Sequence, residues 1–286
     1  MESVKHRQSL VRVVVDSTAD LPPELAAEWE ITVVPCLVHF GRETFREGVD
    51  LSHAEFYRRL EAGPGLPTTS APGPGVFEAF YRQLAAETDQ IVSIHLSSRL
   101  SAVYSVARLG AEGFEETEIA VVDSDSVTMG LGWLAVMAAR AARARRSLDE
   151  IVRLVEAARP RVHVFALLDT LEYLRRGGRV RRLVAALSAL LDVKPIIGVE
   201  AGEVLPLGRV RSRRRAVDWL VSLVEGLVPL AELAVLHSRA RQAAESLADR
   251  LGVFYPRDRM VIAEVGTVIG THVGPNGLGV ACMTVE

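Results

Sequence analysis

Between residues 11 and 145, short apolar runs rich in valine and isoleucine alternate with longer amphipathic, helix-favouring stretches. VRVVV (11–15), ITVVPCLVHF (31–40), QIVSIHL (90–96) and EIAVVDS (118–124) have the length and β-branching of strands. PPELAAEW, SHAEFYRRLEAG, VFEAFYRQLAAE and SAVYSVARLGAEGF read as helices, the first led by prolines and the second capped by Ser52. Strands separated by helices must be joined by crossovers, which set them parallel and lay the helices over the sheet. The pattern therefore predicts an α/β fold whose first half is a mostly parallel sheet with flanking helices. Pro35 interrupts the strand at 31–40, and GRETFREGVD (41–50) reads as a polar hairpin or loop. PGLPTTSAPGPG (64–75) is too rich in proline and glycine for helix or strand, and an alanine-rich helix runs from Met129 to about Arg145.

The order then changes. After a helix expected at Leu148–Ala158 come a strand at 161–170, a helix at 181–193 and KPIIGVEAGEVLPLGRV (194–210), a hairpin turning at Ala201 and Gly202. Helices at 214–227 and 240–252 and strands at 233–238, 259–265 and 279–286 complete an α+β unit. A chain of 286 residues exceeds the size at which one core stops growing, so two domains are expected, 10–160 and 161–286, joined near Pro160.

Composition removes several classes. Hydrophobic residues make up 49% of the chain, yet the longest apolar stretch, MGLGWLAVMAA (129–139), is far short of the roughly 20 residues that cross a bilayer. No secretory signal precedes the first strand, so a cytoplasmic protein without integral membrane association is expected. The two cysteines, Cys36 and Cys282, lie in strand-like runs, and no His/Cys spacing suggests a metal. A net charge of −3 gives no overall attraction for nucleic acid, although RRGGRVRR (175–182) and RVRSRRR (209–215) concentrate arginine in the second half. These clusters are solvated surface or a docking patch for an anionic partner.

Four hydroxyl-bearing turns follow strands or the proline-rich loop: DSTAD (16–20), TTS (68–70), SSRLS (97–101) and DSDS (123–126). In open α/β sheets ligands gather outside the carboxyl ends of the strands. Ser101 is expected in the first turn of a helix, where unpaired N–H groups suit an anion, while the same serines can equally cap that helix. Thr69 and Ser70 carry the same two readings. GTHVGPNGLGV (270–280) sets His272 in a turn with glycines at 270, 274, 277 and 279, which lets the backbone approach a ligand closely or merely turn. No nucleophile elbow, zinc-protease motif or Walker loop occurs, so no complete catalytic set is visible.

Taken together, VVVDSTADLP, PTTSAP, SIHLSSRLSAVYS, VVDSDSVTMGLG, LEYLRRGGRV, the KPI of the hairpin and THVGPNGLGV resemble the DegV family, in family order from Val13 to Val280. The resemblance implies a two-domain DegV-like fold that holds one long-chain fatty acid in an interdomain tunnel. It implies no catalytic residue and no cofactor, the fatty acid itself being the ligand. Thr69 and Ser101 would grip the carboxylate, with His272, Arg179, Ser70 and Ser98 near the head group. The implied partner is an ATP-dependent fatty acid kinase subunit that converts the carboxylate to an acyl phosphate, with Arg176 and Arg211 as docking residues. Burial of about 14 methylenes at ~0.8 kcal/mol each would supply on the order of 11 kcal/mol before binding costs, so the tail sets affinity and the head sets orientation.

The chain departs from the family pattern at Ala102 and Val103 after Ser101, at Ala71 in the proline-rich loop and at Asn276 in the last turn. Ala102 adds a methyl group beside the expected anion site, which bears on which lipid is taken. The alternative function is an esterase or phosphotransferase that uses Ser101 with His272 on an acyl substrate.

Overall fold

The computed structural model describes residues 10–63, 65–177 and 193–286. Its first half is the expected α/β layer. Strands β1 (Arg12–Asp16), β2 (Thr32–Val34), β6 (Gln90–His95) and β7 (Glu118–Asp123) form a fully parallel sheet in the order β2-β1-β6-β7. Helices α1 (Pro23–Glu28), α3 (Pro74–Ala85) and α4 (Val103–Gly110) supply its crossovers. One expectation is corrected here. Residues 31–40 are not one strand, because Pro35 lacks the N–H that would continue the ladder. The chain leaves the parallel sheet after β2 and starts β3 (Leu37–Phe40) in a separate antiparallel sheet with β4 (Glu43–Arg46) and β5 (Thr68–Ser70), ordered β4-β3-β5. Helix α2 (His53–Ala62), capped by Ser52, links β4 to β5. The proline-rich segment 64–75, read as irregular, thus contains a three-residue strand held entirely by its pairing with β3.

The second half builds a mixed six-stranded sheet, β10-β9-β8-β13-β11-β12. It comprises β8 (Val162–Leu167), β9 (Lys194–Glu200), β10 (Glu203–Val210), β11 (Leu230–His237), β12 (Val261–Glu264) and β13 (Leu278–Thr284). All neighbours are antiparallel except β11 and β12. The β9–β10 hairpin turns at Ala201 and Gly202 as expected, both with positive φ. Helices α8 (Arg213–Glu225) and α9 (Arg241–Leu251) pack on one face around Leu220, Val224, Leu247 and Leu251. Helix α7 (Glu172–Gly177) and the short α10 (Thr267–Val273) stand at the end of this sheet nearest β5. The helix expected at 181–193 falls outside the described residues apart from its last position.

Helix α5 (Met129–Arg143) joins the halves. Twelve of its fifteen residues are buried, and it packs against β1 and β6 of the parallel sheet and against β8, β11 and β13 of the mixed sheet. A helix apolar on every side must be covered on every side. Trp133 donates its indole N–H to the Ala281 carbonyl at 3.0 Å, satisfying the polar end of a buried ring. Helix α6 (Leu148–Ala158) follows, opened by a capping box between Ser147 and Glu150.

Candidate functional site

Beside the N-terminus of α5 the two sheets separate around a cavity of about 590 Å³. This lies within the ~300–1,000 Å³ range of pockets that enclose small molecules. Its walls come from every layer: Leu96 and Leu100 after β6, Val164 and Ala166 from β8, Ile197 and Val199 from β9, and Ile269 and Val273 from α10. Polar side chains are a minority, mostly hydroxyls with the imidazoles of His237 and His272, and among the described lining residues there is no aspartate or glutamate. A carboxylate entering this space would meet hydroxyl and imidazole groups, while the guanidinium of Arg99, a lining residue, is already paired with Glu203.

Thr69, Ser70, Ser98, Ser101 and His272 all line this one cavity, although they come from β5, the β6–α4 turn and α10. The direct contact joins residues 203 apart in sequence: Thr69 Oγ1 and His272 Nε2 are hydrogen-bonded at 3.0 Å. Thr69 pairs with Val38 in the ladder and Ser70 with Leu37, so alternation sends their side chains to opposite faces. The Ser70 hydroxyl is taken by His39 Nε2 at 2.9 Å. Ser98 is exposed, and its N–H donates to Asp123 at 3.1 Å. Ser101 is not in the first turn of α4 but two residues ahead of it, where its hydroxyl accepts the Val103 N–H at 3.3 Å. Its cavity-lining and helix-entry roles coexist.

His272 also differs from the glycine-turn expectation. It sits in the last turn of α10, and Gly274 follows with φ 71°. Gly177, at the end of α7, lies so close to the ring that a β-carbon there would overlap the imidazole. This is a close approach that only glycine permits. Arg176 is exposed and paired with Glu172 at 2.5 Å, and Arg211 is exposed in the turn after β10. Arg179 lies outside the described residues. The β9–β10 turn closes one side of the cavity: Ser97 donates its hydroxyl to the Gly202 carbonyl at 2.9 Å, and Arg99 pairs with Glu203 at 2.8 Å.

Two buried polar groups lie behind this wall, each anchored in the DSTAD turn that the sequence marks but with partners that it does not. In the first, Asp16 accepts from Leu96 N–H at 2.9 Å, from Thr18 and from His95 Nδ1 at 3.1 Å, while His95 Nε2 meets Ser93 Oγ at 2.7 Å. Burial alone would raise the Asp16 carboxyl, but His95, Thr18 and Leu96 outweigh it and hold it below the usual carboxylate range. The serine, histidine and aspartate of this chain are fully buried, with no surface open to a substrate. In the second, Asp20 and Glu47 reach the start of α10. Burial raises both carboxyls, and the neighbouring Glu47 charge raises Asp20 further. Burial, with Asp16 and Glu47 nearby, also pushes the Cys36 thiol far up, so this cavity-lining cysteine stays protonated. Alternating strand patterns reveal neither group, because the first joins two strands and the second two loops that only the fold brings together.

Among the described residues no cluster of histidine, cysteine and carboxylate side chains could hold a metal ion, and no helix is long and apolar enough to cross a membrane. The fold and site define a class: an α/β protein in which a parallel and a mixed sheet enclose an apolar cavity with a hydroxyl–imidazole contact on its wall. The sequence model described as "uncharacterised protein, DegV family" matches residues 10–285, and the chain belongs to that family. A DegV domain-containing protein of Streptomyces coelicolor is 37% identical over 280 residues, covering 94% of this chain and 97% of the relative. Among solved structures, a DegV family protein of Thermus thermophilus described by its fatty acid binding aligns with TM-score 0.89 at 29% identity, over 96% of this chain and 99% of that one. Bacillus subtilis DegV, described as a fatty acid binding protein, aligns with TM-score 0.88 at 31% identity over the same shares.

Proposed function

We propose that this chain binds one long-chain fatty acid in the cavity between its sheets, with the carboxylate toward Thr69, Ser101 and His272. The observation that carries the reading is the cavity itself: an apolar space of about 590 Å³ with hydroxyl and imidazole groups on its wall and no acidic side chain among the described lining residues. The likeness to Thermus and Bacillus proteins described as binding fatty acids supports it. In this reading the tail supplies affinity through burial, and the hydroxyls fix which end faces outward. His272 holds Thr69 in place or meets the head group through the same ring.

The finer step is presentation. The carboxylate is offered to a separate ATP-dependent kinase, which forms the acyl phosphate, and the exposed Arg176 and Arg211 belong to the docking face. On this reading the chain is a binding subunit of the cytoplasm that works without a cofactor, and its two domains, 10–160 and 161–286, enclose the ligand. A hydrolase using Ser101 is disfavoured by the pairing of His272 with Thr69 and by the use of the Ser101 hydroxyl as an acceptor for Val103.

Native mass spectrometry of the purified protein tests the binding step. The expected spectrum carries a mass excess of one fatty acid that vanishes on denaturation. A protein that is empty and also fails to take up hexadecanoate removes the proposal. Addition of an acyl-carboxylate kinase and ATP tests presentation, with acyl phosphate as the expected product.

A further inference from the structure

Helix α10 is a poor helix by its own sequence. It has seven residues, TVIGTHV, of which four are β-branched ahead of His272 and one is glycine, and its N-cap, Gly266, offers no side chain. Its first N–H groups are instead satisfied from the other end of the chain. Asp20 accepts from Gly266 N–H at 2.8 Å. Glu47 Oε1 accepts from Val268 N–H at 2.6 Å and from Thr267 Oγ1 at 3.0 Å. The far oxygen of Glu47 takes the Ser17 hydroxyl at 2.5 Å, and Ser17 in turn accepts the Cys36 N–H at 2.9 Å. Both carboxyl groups are buried, and a β-carbon at Gly266 would collide with Glu47, so the loop and the carboxylates meet without slack.

The helix thus has two fixed ends. Asp20 and Glu47 hold the first turn, and Thr69 meets His272 in the last. Val268, whose N–H binds Glu47, and His272 are four residues apart and share one helix face, which lines the cavity. A shift or rotation of the first turn is carried rigidly to the imidazole, about 6 Å along the axis.

We infer that Glu47 and Asp20 are positioning residues for His272: by capping α10 from the β4–α2 and β1–α1 loops, they set the height and rotation at which the imidazole meets Thr69. The consequence for ligand retention rests on the proposed binding function, whereas the positioning itself does not.

The first measurement therefore uses ligand-free full-length protein. Nitrogen-15 NMR of the His272 ring is expected to show a changed tautomer ratio or ring shift in Glu47→Ala, with the wild-type signal restored in Glu47→Gln, whose side-chain oxygen still accepts from Val268 and Thr267. Leu251→Ala, a core substitution among α9 residues, serves as a control of comparable thermal loss and is expected to leave the His272 signal unmoved. Should Glu47→Ala fail to fold, Thr267→Val removes a single bond to Glu47 and is expected to shift the ring signal in the same direction. A His272 signal identical to wild type in both Glu47→Ala and Thr267→Val, or moved equally by Leu251→Ala, overturns the inference. The second measurement is the dissociation rate of hexadecanoate, expected to rise about tenfold in Glu47→Ala and to stay within about twofold in Glu47→Gln. An unchanged NMR signal with faster release also overturns the inference. Failure of wild type to bind hexadecanoate counts against the proposed function alone and leaves the NMR outcome to decide positioning.

Discussion

Ala166 offers the most direct test that the cavity holds an alkyl chain. It lies on β8, an interior strand of a six-stranded sheet, yet it is only half-buried, because its side of the strand opens on the cavity with Val164 and Leu168. Across the ladder it pairs with Gly279 on one side and Ile197 on the other, so a glycine and an alanine lie side by side in the floor of the space. Ala166→Leu adds three carbons to that floor. Each displaces roughly one methylene of tail, and at ~0.8 kcal/mol per methylene the loss for a tail that fills the space is about 2.4 kcal/mol, or some sixty-fold in affinity. Dodecanoate, four carbons shorter, leaves room beside the new side chain and is expected to lose much less. Displacement of a fluorescent fatty acid from delipidated protein reads both constants. The empty variant should keep or gain thermal stability, because the added carbons enter open space rather than packed core. An unchanged hexadecanoate affinity, with the variant folded, would show that the tail does not lie over β8.

Other perturbations separate the roles of named groups. Thr69→Val with Ser101→Ala removes two hydroxyls, each worth ~1.5 kcal/mol or more to a charged head group, so hexadecanoate should bind about a hundredfold more weakly while its methyl ester changes little. Calorimetry that finds equal losses for acid and ester would place the carboxylate elsewhere. Gly177→Ala forces a methyl group into the His272 ring and should, like Glu47→Ala, release hexadecanoate about tenfold faster, and should also slow acyl phosphate formation at saturating acid. A normal rate in the coupled kinase assay would remove the imidazole from that step. The buried acids should act on stability with opposite signs. The Asp20 carboxyl is raised above its unfolded value, so the stability it contributes is full below about pH 4 and is lost as pH rises. Asp20→Asn should therefore gain on wild type in urea melts as pH increases toward neutrality. Asp16 is lowered, so its contribution is present above about pH 4 and lost in acid, and Asp16→Asn should cost stability at neutral pH. Parallel pH curves for wild type and Asp20→Asn would contradict the assignment.

The strand–helix alternation is legible because each run in the first half follows its own period, and helix α6 and the Ala201–Gly202 turn announce themselves through local chemistry: a capping box and residues tolerant of positive φ. The departures share one cause. Pro35 marks an interrupted ladder, but nothing nearby tells that the chain then moves into another sheet. Strand β5 looks like loop because three residues between prolines form a strand only when β3 is beside them. Helix α10 looks like turn because its caps are Asp20 and Glu47, more than two hundred residues away. The hydroxyls and His272 can be picked out as polar residues among glycine and proline. That Thr69 and His272 touch while Ser70 turns to His39 depends on strand alternation in a strand that only the fold creates.

Helix α5 has a consequence for how this molecule can be taken apart. Its buried surface is shared between strands that precede it and strands that follow it, the last of which, β13, comes more than a hundred residues later. A gene cut near residue 160 would make two polypeptides, the first carrying a greasy rod with half its sheath missing and the second a sheet with one face stripped bare. Neither fragment should survive alone at working concentration, whereas co-expression should let each rescue its counterpart.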